Sequence, residues 1–172
     1  FLAGPTFIAN STIVGNSGIA TGGLFVQSST SDTQVVNTIL ANVGQSPDVF
    51  GRIYTWGNNL IRSRGSAQVD VRPGNTNIEG VDPGLAPLAN NGGPTLTMLV
   101  PPTSPVHNAG ADCVLFANGC DGFPHIALST DQRGMGFARN RGGAVDIGAY
   151  ELGSVLVSNS QDSGAGSLRQ AI

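Results

Sequence analysis

Asn37-Thr38-Ile39-Leu40-Ala41-Asn42 decides the fold, because the chain repeats it with variations. Thr12-Ile13-Val14-Gly15-Asn16 stands 26 positions before Thr38-Ile39-Leu40-Ala41-Asn42, and Asn58-Asn59-Leu60-Ile61 stands 21 positions after Asn37-Thr38-Ile39-Leu40. Each copy is a short apolar pair flanked by Asn and small residues. Short strands at such intervals, separated by polar turns, suit stacked coils rather than a sandwich. Unequal intervals are accommodated when extra residues bulge outward, as expected for Ser28-Ser29-Thr30-Ser31-Asp32. The repeated Asn has a physical use: at a corner it adopts left-handed backbone geometry, and stacked on its copy it exchanges amide hydrogen bonds. Ile13, Ile39 and Leu60 are expected to stack inward as successive rungs.

Composition narrows the class. Of 172 residues 40% are hydrophobic, 11% are charged and 25 are Gly, too apolar for disorder and too rich in Gly for a helical bundle. All eight basic residues are Arg, and the net charge is −3. Nothing supplies the positive stripe of a nucleic-acid binder. No apolar run is long enough for a membrane span. The expected fold is therefore all-β, a short right-handed parallel β-helix with coils over residues 1–64. From residue 65 the chain fills with Pro-Gly, Asn-Gly-Gly-Pro and Pro-Pro punctuation, which predicts an irregular cap over 65–152 that covers the last apolar layer. Short strands are expected at Thr95 to Val100 and at Ala144 to Glu151. Residues 153–172 read as a trailing strand.

Several residues invite chemistry, and each has a simpler use. Cys113 and Cys120 lie close together in a Gly/Asn/Asp-rich stretch, as a local disulfide would; zinc would need His107 and His125 as well, at intervals unlike the familiar spacings. Asp131, Asp146 and Glu151 are candidate glycosidase carboxylates, but Arg133 can pair bidentately with an acid such as Asp146 and pin the cap. Asp131, Arg133 and Asp146 are thus assigned a structural role. Asp32, Asp48 and Asp70 do not cluster in sequence as calcium ligands of a lyase would. Neither His107 nor His125 sits in a recognisable nucleophile setting. Tyr54 and Trp56 share one strand face by alternation and could form the small glycan platform of an adhesin, but packing under the neighbouring loop is their simpler use. No catalytic or metal residue and no cofactor is assigned.

Asp82-Pro83-Gly84-Leu85-Ala86-Pro87-Leu88-Ala89-Asn90-Asn91-Gly92-Gly93-Pro94-Thr95-Leu96-Thr97, then Ser104-Pro105-Val106-His107-Asn108-Ala109-Gly110, Asp131-Gln132-Arg133-Gly134 and Asp146-Ile147-Gly148-Ala149-Tyr150-Glu151, resemble the C-terminal half of the bacterial choice-of-anchor Q β-helix proteins. The resemblance spans about residues 35–151. It implies a secreted or surface-attached right-handed parallel β-helix, part of a larger polypeptide, without established catalysis. Val155 to Ile172 is similar to the stretch that opens such modules. The expectation is a non-catalytic extracellular module of a fibre, filament or adhesin stalk, joined head to tail to copies of itself. Phe1 and Leu2 at one end, and Val155, Leu156, Val157, Leu168 and Ile172 at the other, are the expected inter-subunit residues. The alternatives are a polysaccharide-active enzyme and a module binding cell-surface glycans.

Overall fold

The structure is a computed structural model that describes residues 6–27, 33–120 and 126–153. Phe1, Leu2, the expected bulge at 28–32, His125 and the tail residues Val155, Leu156, Val157, Leu168 and Ile172 lie outside the described residues. The chain lays down β1 (Thr6–Ala9), β2 (Thr12–Val14) and β3 (Leu24–Phe25), then β4 (Thr33–Val36), β5 (Ile39–Ala41) and β6 (Val49–Phe50). It continues with β7 (Arg52–Thr55), β8 (Leu60–Ile61), β9 (Gln68–Val71) and β10 (Ile78–Glu79). All pairings among these strands are parallel. They form a first sheet β1-β4-β7-β9, a second sheet β2-β5-β8-β10 and a third sheet β3-β6. The chain therefore visits the three sheets in rotation for two circuits and then alternates between the first two, each strand settling beside the one from the previous circuit. Parallel pairing continues to Glu79, beyond the boundary expected at residue 64.

The corner between the first and second sheets explains the repeated Asn. Asn10, Asn37 and Asn58 have φ of 43°, 48° and 55°, the left-handed region that Asn tolerates better than most residues. One position further on, a ladder of side chains receives backbone N–H groups: Ser11 donates to Thr38 Oγ1 (3.4 Å), Thr38 to Asn59 Oδ1 (2.9 Å), and Asn59 to Asn77 Oδ1 (3.2 Å). The rungs are 27, 21 and 18 residues apart. These small polar residues satisfy the N–H groups that a sheet ladder would serve in a longer strand.

The strand register differs by one residue from the repeat in the sequence. Thr12, not Ile13, lies beside Ile39, and Ile13 lies beside Leu40, which in turn faces Ile61. Yet Asn16 does meet Asn42, donating to its Oδ1 at 3.0 Å, 26 residues away. Gly15, at φ 72°, is the extra residue that absorbs the difference. A one-residue shift exchanges the faces of a strand. Ile13, Leu40 and Ile61 therefore join Ile8, Leu24, Val35, Val49, Ile53 and Val69 in the cluster shared by the three sheets. Ile39 and Leu60 point the other way, into a second cluster with Val100, Val106, Ile147 and Tyr150.

That second cluster corrects the expected cap. Val14 of β2 and Ile78 of β10 both pack into it, so Val100, Val106, Ile147 and Tyr150 lie along the outer face of the second sheet, while Val114, Cys120 and Val145 pack on Val36 of the first. Among its described residues this lid, residues 80–153, contains one antiparallel strand pair, β11 (Leu88–Ala89) with β12 (Thr97–Met98), an isolated antiparallel bridge between Thr130 and Ala138, and a 3-10 turn at Asp112–Leu115. The strand expected at Ala144 to Glu151 is absent, and that at Thr95 to Val100 shrinks to β12. Val145, Asp146 and Ile147 are all fully buried, so the alternating pattern did not produce one solvated face.

Candidate functional site

Two arrangements concentrate the chain's charged and aromatic side chains. The first holds the lid. Arg133 grips Asp131 with Nε at 3.0 Å and Nη2 at 2.6 Å from Oδ2, and both side chains are buried. Arg133 also donates to the carbonyls of Asn91 (3.3 Å) and Glu151 (2.7 Å). Its guanidinium lies over the rings of Phe137 and Tyr150, at 4.1 and 3.8 Å from their centroids. A planar cation with five donors is suited to joining so many loop segments.

Arg133 thus has Asp131 as its acid, not Asp146. Asp146 instead accepts the N–H groups of Asn108 (2.7 Å) and Leu152 (2.6 Å). A second buried pair sits beside it: Arg139 Nη2 lies 3.0 Å from Glu151 Oε2, which also accepts the Asp146 N–H at 2.9 Å. Burial pushes the Glu151 carboxyl up to about 7, outweighing the Asp146 N–H and the Arg139 cation, while the Asp146 charge adds to the rise. Burial also lowers the Arg139 guanidinium, against the pull of Glu151 and Asp131. Asp131 completes the network by accepting the N–H groups of Arg133 (2.8 Å) and Glu151 (2.9 Å). The three candidate carboxylates are therefore acceptors for lid backbone and buried Arg.

Corner asparagines dock this lid on the stack, a use the repeat did not reveal. Asn10 donates to Asp146 O (3.3 Å), and Asn58 to Ala109 O (2.9 Å). Asn37 donates to Ala111 O (3.0 Å) and accepts from Ala111 N (2.7 Å). Gly148 is a point of close approach, where a Cβ would lie 2.7 Å from Ile39 Cδ1 and 2.8 Å from Thr12 Oγ1. Cys113 and Cys120 are joined in a disulfide, and both pack with Val36, Phe7 and Trp56 against the first sheet.

The second arrangement occupies the outer face of the first sheet. Arg52, Tyr54 and Trp56 point outward while Ile53 and Thr55 are buried. Register places Gln34 on one side of Tyr54 and Asp70 on the other. Trp56 Nε1 donates to Gln34 Oε1 at 2.6 Å, and Arg52 Nε meets Asp70 Oδ2 at 2.5 Å. Arg72 lies 4.2 Å from the Trp56 ring centroid, and Arg52 lies 4.8 Å from that of Tyr54. Gln34, Tyr54, Trp56, Asp70 and Arg72 line an open groove of about 560 Å³. Part of Trp56 packs beneath the disulfide loop.

The remaining candidates are dispersed. Asp48 is buried and ties a turn by accepting the N–H groups of Asn42 and Ser63, whereas Asp70 faces outward from β9. His107 contacts Pro102 O and Asn108 Nδ2. Among the described residues, no three His, Cys, Asp or Glu side chains converge as a metal site, and no helix is long and apolar enough to cross a membrane. Arg139 and Arg72 were not singled out in the sequence, because nothing local distinguishes a buried Arg from an exposed one. In comparisons with known proteins, no family model matches the chain, and neither a curated protein nor a solved structure does so at a significant level.

Proposed function

We propose that this chain is a non-catalytic extracellular structural module, a right-handed parallel β-helix that stacks head to tail with copies of itself. Rotation through parallel sheets supports the β-helix reading, and the strong preference of parallel crossovers for one hand supports its handedness. The disulfide suits an oxidising compartment. The three lid carboxylates are engaged in holding backbone, which favours a scaffold over a hydrolase.

The observation that carries the assembly is the incomplete corner ladder. Thr38 Oγ1 donates to Val36 O and accepts the Ser11 N–H, and Ser11 Oγ, which donates to Ala9 O, is a hydroxyl of the same kind at the first described rung. At the opposite end Asn77 accepts from Asn59, while its own N–H meets no acceptor among the described residues. A second copy would supply Ser11 Oγ to Asn77 N–H and lay β1 and β2 beside β9 and β10. Such a contact is heterologous and does not close, so it propagates as a filament.

Electron microscopy and light scattering test the proposal. Wild-type protein should form filaments, and Ser11→Arg, which places a charge in the proposed joint, should stay monomeric with an unchanged melting transition. Wild-type monomers at high concentration would overturn the proposal. Deleting residues 155–172 then tests whether Val155, Leu156, Val157, Leu168 and Ile172 contribute to the joint. Incubation with pectin, alginate, xylan and peptidoglycan should release no new reducing ends or unsaturated products.

A further inference from the structure

Five ionisable side chains are buried together in the lid, Asp131, Asp146 and Glu151 with Arg133 and Arg139. They form one network: Asp131 holds Arg133 and the Glu151 N–H, while Glu151 holds Arg139 and the Asp146 N–H. Three carboxylates against two guanidiniums leave one negative charge in excess when all are ionised. The stack meets this network through the uncharged Asn10, which donates to Asp146 O. His107 stands apart, with its ring against Pro102 O and Asn108 Nδ2.

An open hollow of about 460 Å³ borders the cluster. Asp131 and Arg139 line it from the lid, and Asn10, Ser11 and Thr12 line it from the first described corner of the stack. Ser11 is the residue that the joint proposed above sets against Asn77 of the next copy, so a copy seated there covers the hollow as well. Excluding water from a cluster with an excess negative charge makes its ionised form costlier, and protonating one carboxyl relieves that cost. Burial already pushes the Glu151 carboxyl up to about 7, which makes it the acid placed to take that proton near neutral pH.

We propose that head-to-tail assembly takes up a proton on the lid cluster, at Glu151, so that acid favours the filament and alkali releases it. This regulation rests on the assembly proposed above. The next copy brings Asp70 and Glu79 to the joint, both already in ion pairs, with Arg52 and Arg64. Below about pH 7 the free and assembled chains both carry the Glu151 proton; above it only the assembled chain keeps it, so association weakens there as pH rises.

The critical concentration for filaments, read by light scattering on protein shown to be folded at each pH, should be flat below about pH 7. Above that it should rise by up to about tenfold per pH unit, the limit for one linked proton. Glu151→Gln should assemble with a critical concentration independent of pH. A second reading needs no variant: wild-type protein assembling in unbuffered salt at about pH 8 should consume acid, up to about one equivalent per subunit. Filaments with a critical concentration unaffected by pH, filaments that form without consuming acid, or a Glu151→Gln variant as pH-dependent as the parent would each overturn the proton linkage and leave head-to-tail assembly standing. Absence of filaments at every pH would overturn the assembly itself, and the linkage with it.

Discussion

The stack and the lid satisfy the same requirement by opposite means. From β1 to β10 the backbone is paired mainly by parallel strands, and small polar residues such as Thr38 and Asn59 complete the corners. In the lid, strand pairing is sparse, and buried Asp131, Asp146 and Glu151 accept the N–H groups of Arg133, Asn108, Leu152, Asp146 and Glu151. An irregular chain segment that is buried must find partners for its peptides, and a carboxylate with several lone pairs serves more of them than a hydroxyl. The cost is desolvation, visible in the raised Glu151 and lowered Arg139.

The contact between the two regions is the place to break both. Ile39 is fully buried between β5 and the lid, so Ile39→Asp should cost about 5 kcal/mol or more and abolish the cooperative thermal transition. A soluble, cooperatively melting variant would refute this placement. Next in size, Asp131→Ala leaves the Arg133 cation buried without its acid and should cost about 3–5 kcal/mol in urea unfolding.

Glu151 sharpens the contrast through pH. Its folded value, about 7, lies above the ordinary 4.5, so the folded state binds the proton more tightly than the unfolded state. Its contribution to stability is greatest below about pH 4.5 and is lost as pH rises towards about 7. Each tenfold difference in proton affinity between the two states is worth about 1.4 kcal/mol, so the loss approaches about 3 kcal/mol. Glu151 faces Arg139, Asp146 and Asp131, and the Glu151→Gln variant removes its own titration from the stability curve measured over that window. Curves of equal slope for the two proteins would count against the buried carboxyl. The smallest effect belongs to the docking asparagines. Asn37→Gly keeps the left-handed corner but loses the bonds to Ala111, for about 2 kcal/mol by chemical unfolding; Asn58→Gly, with one bond to Ala109, should lose about 1 kcal/mol.

The legible part of this protein was local. The recurrence of Asn37-Thr38-Ile39-Leu40, the scarcity of helix-compatible segments and the Gly/Asn/Pro punctuation determined an all-β chain with left-handed Asn corners, and the spacing of Cys113 and Cys120 gave the disulfide. Register was not legible, because Gly15 makes the sequence repeat at 26 residues where Ser11 and Thr38 align at 27. With it, Ile13 lies beside Leu40 in the interior, while Ile39 and Leu60 face the lid. Nor could the sequence choose between Asp131 and Asp146 for Arg133, since either acid can pair with Arg by chemistry alone. Asp131 and Arg133, two residues apart, meet within one turn, whereas only the path of the lid brought Glu151 to Arg139 and Asp146 to the Asn108 N–H.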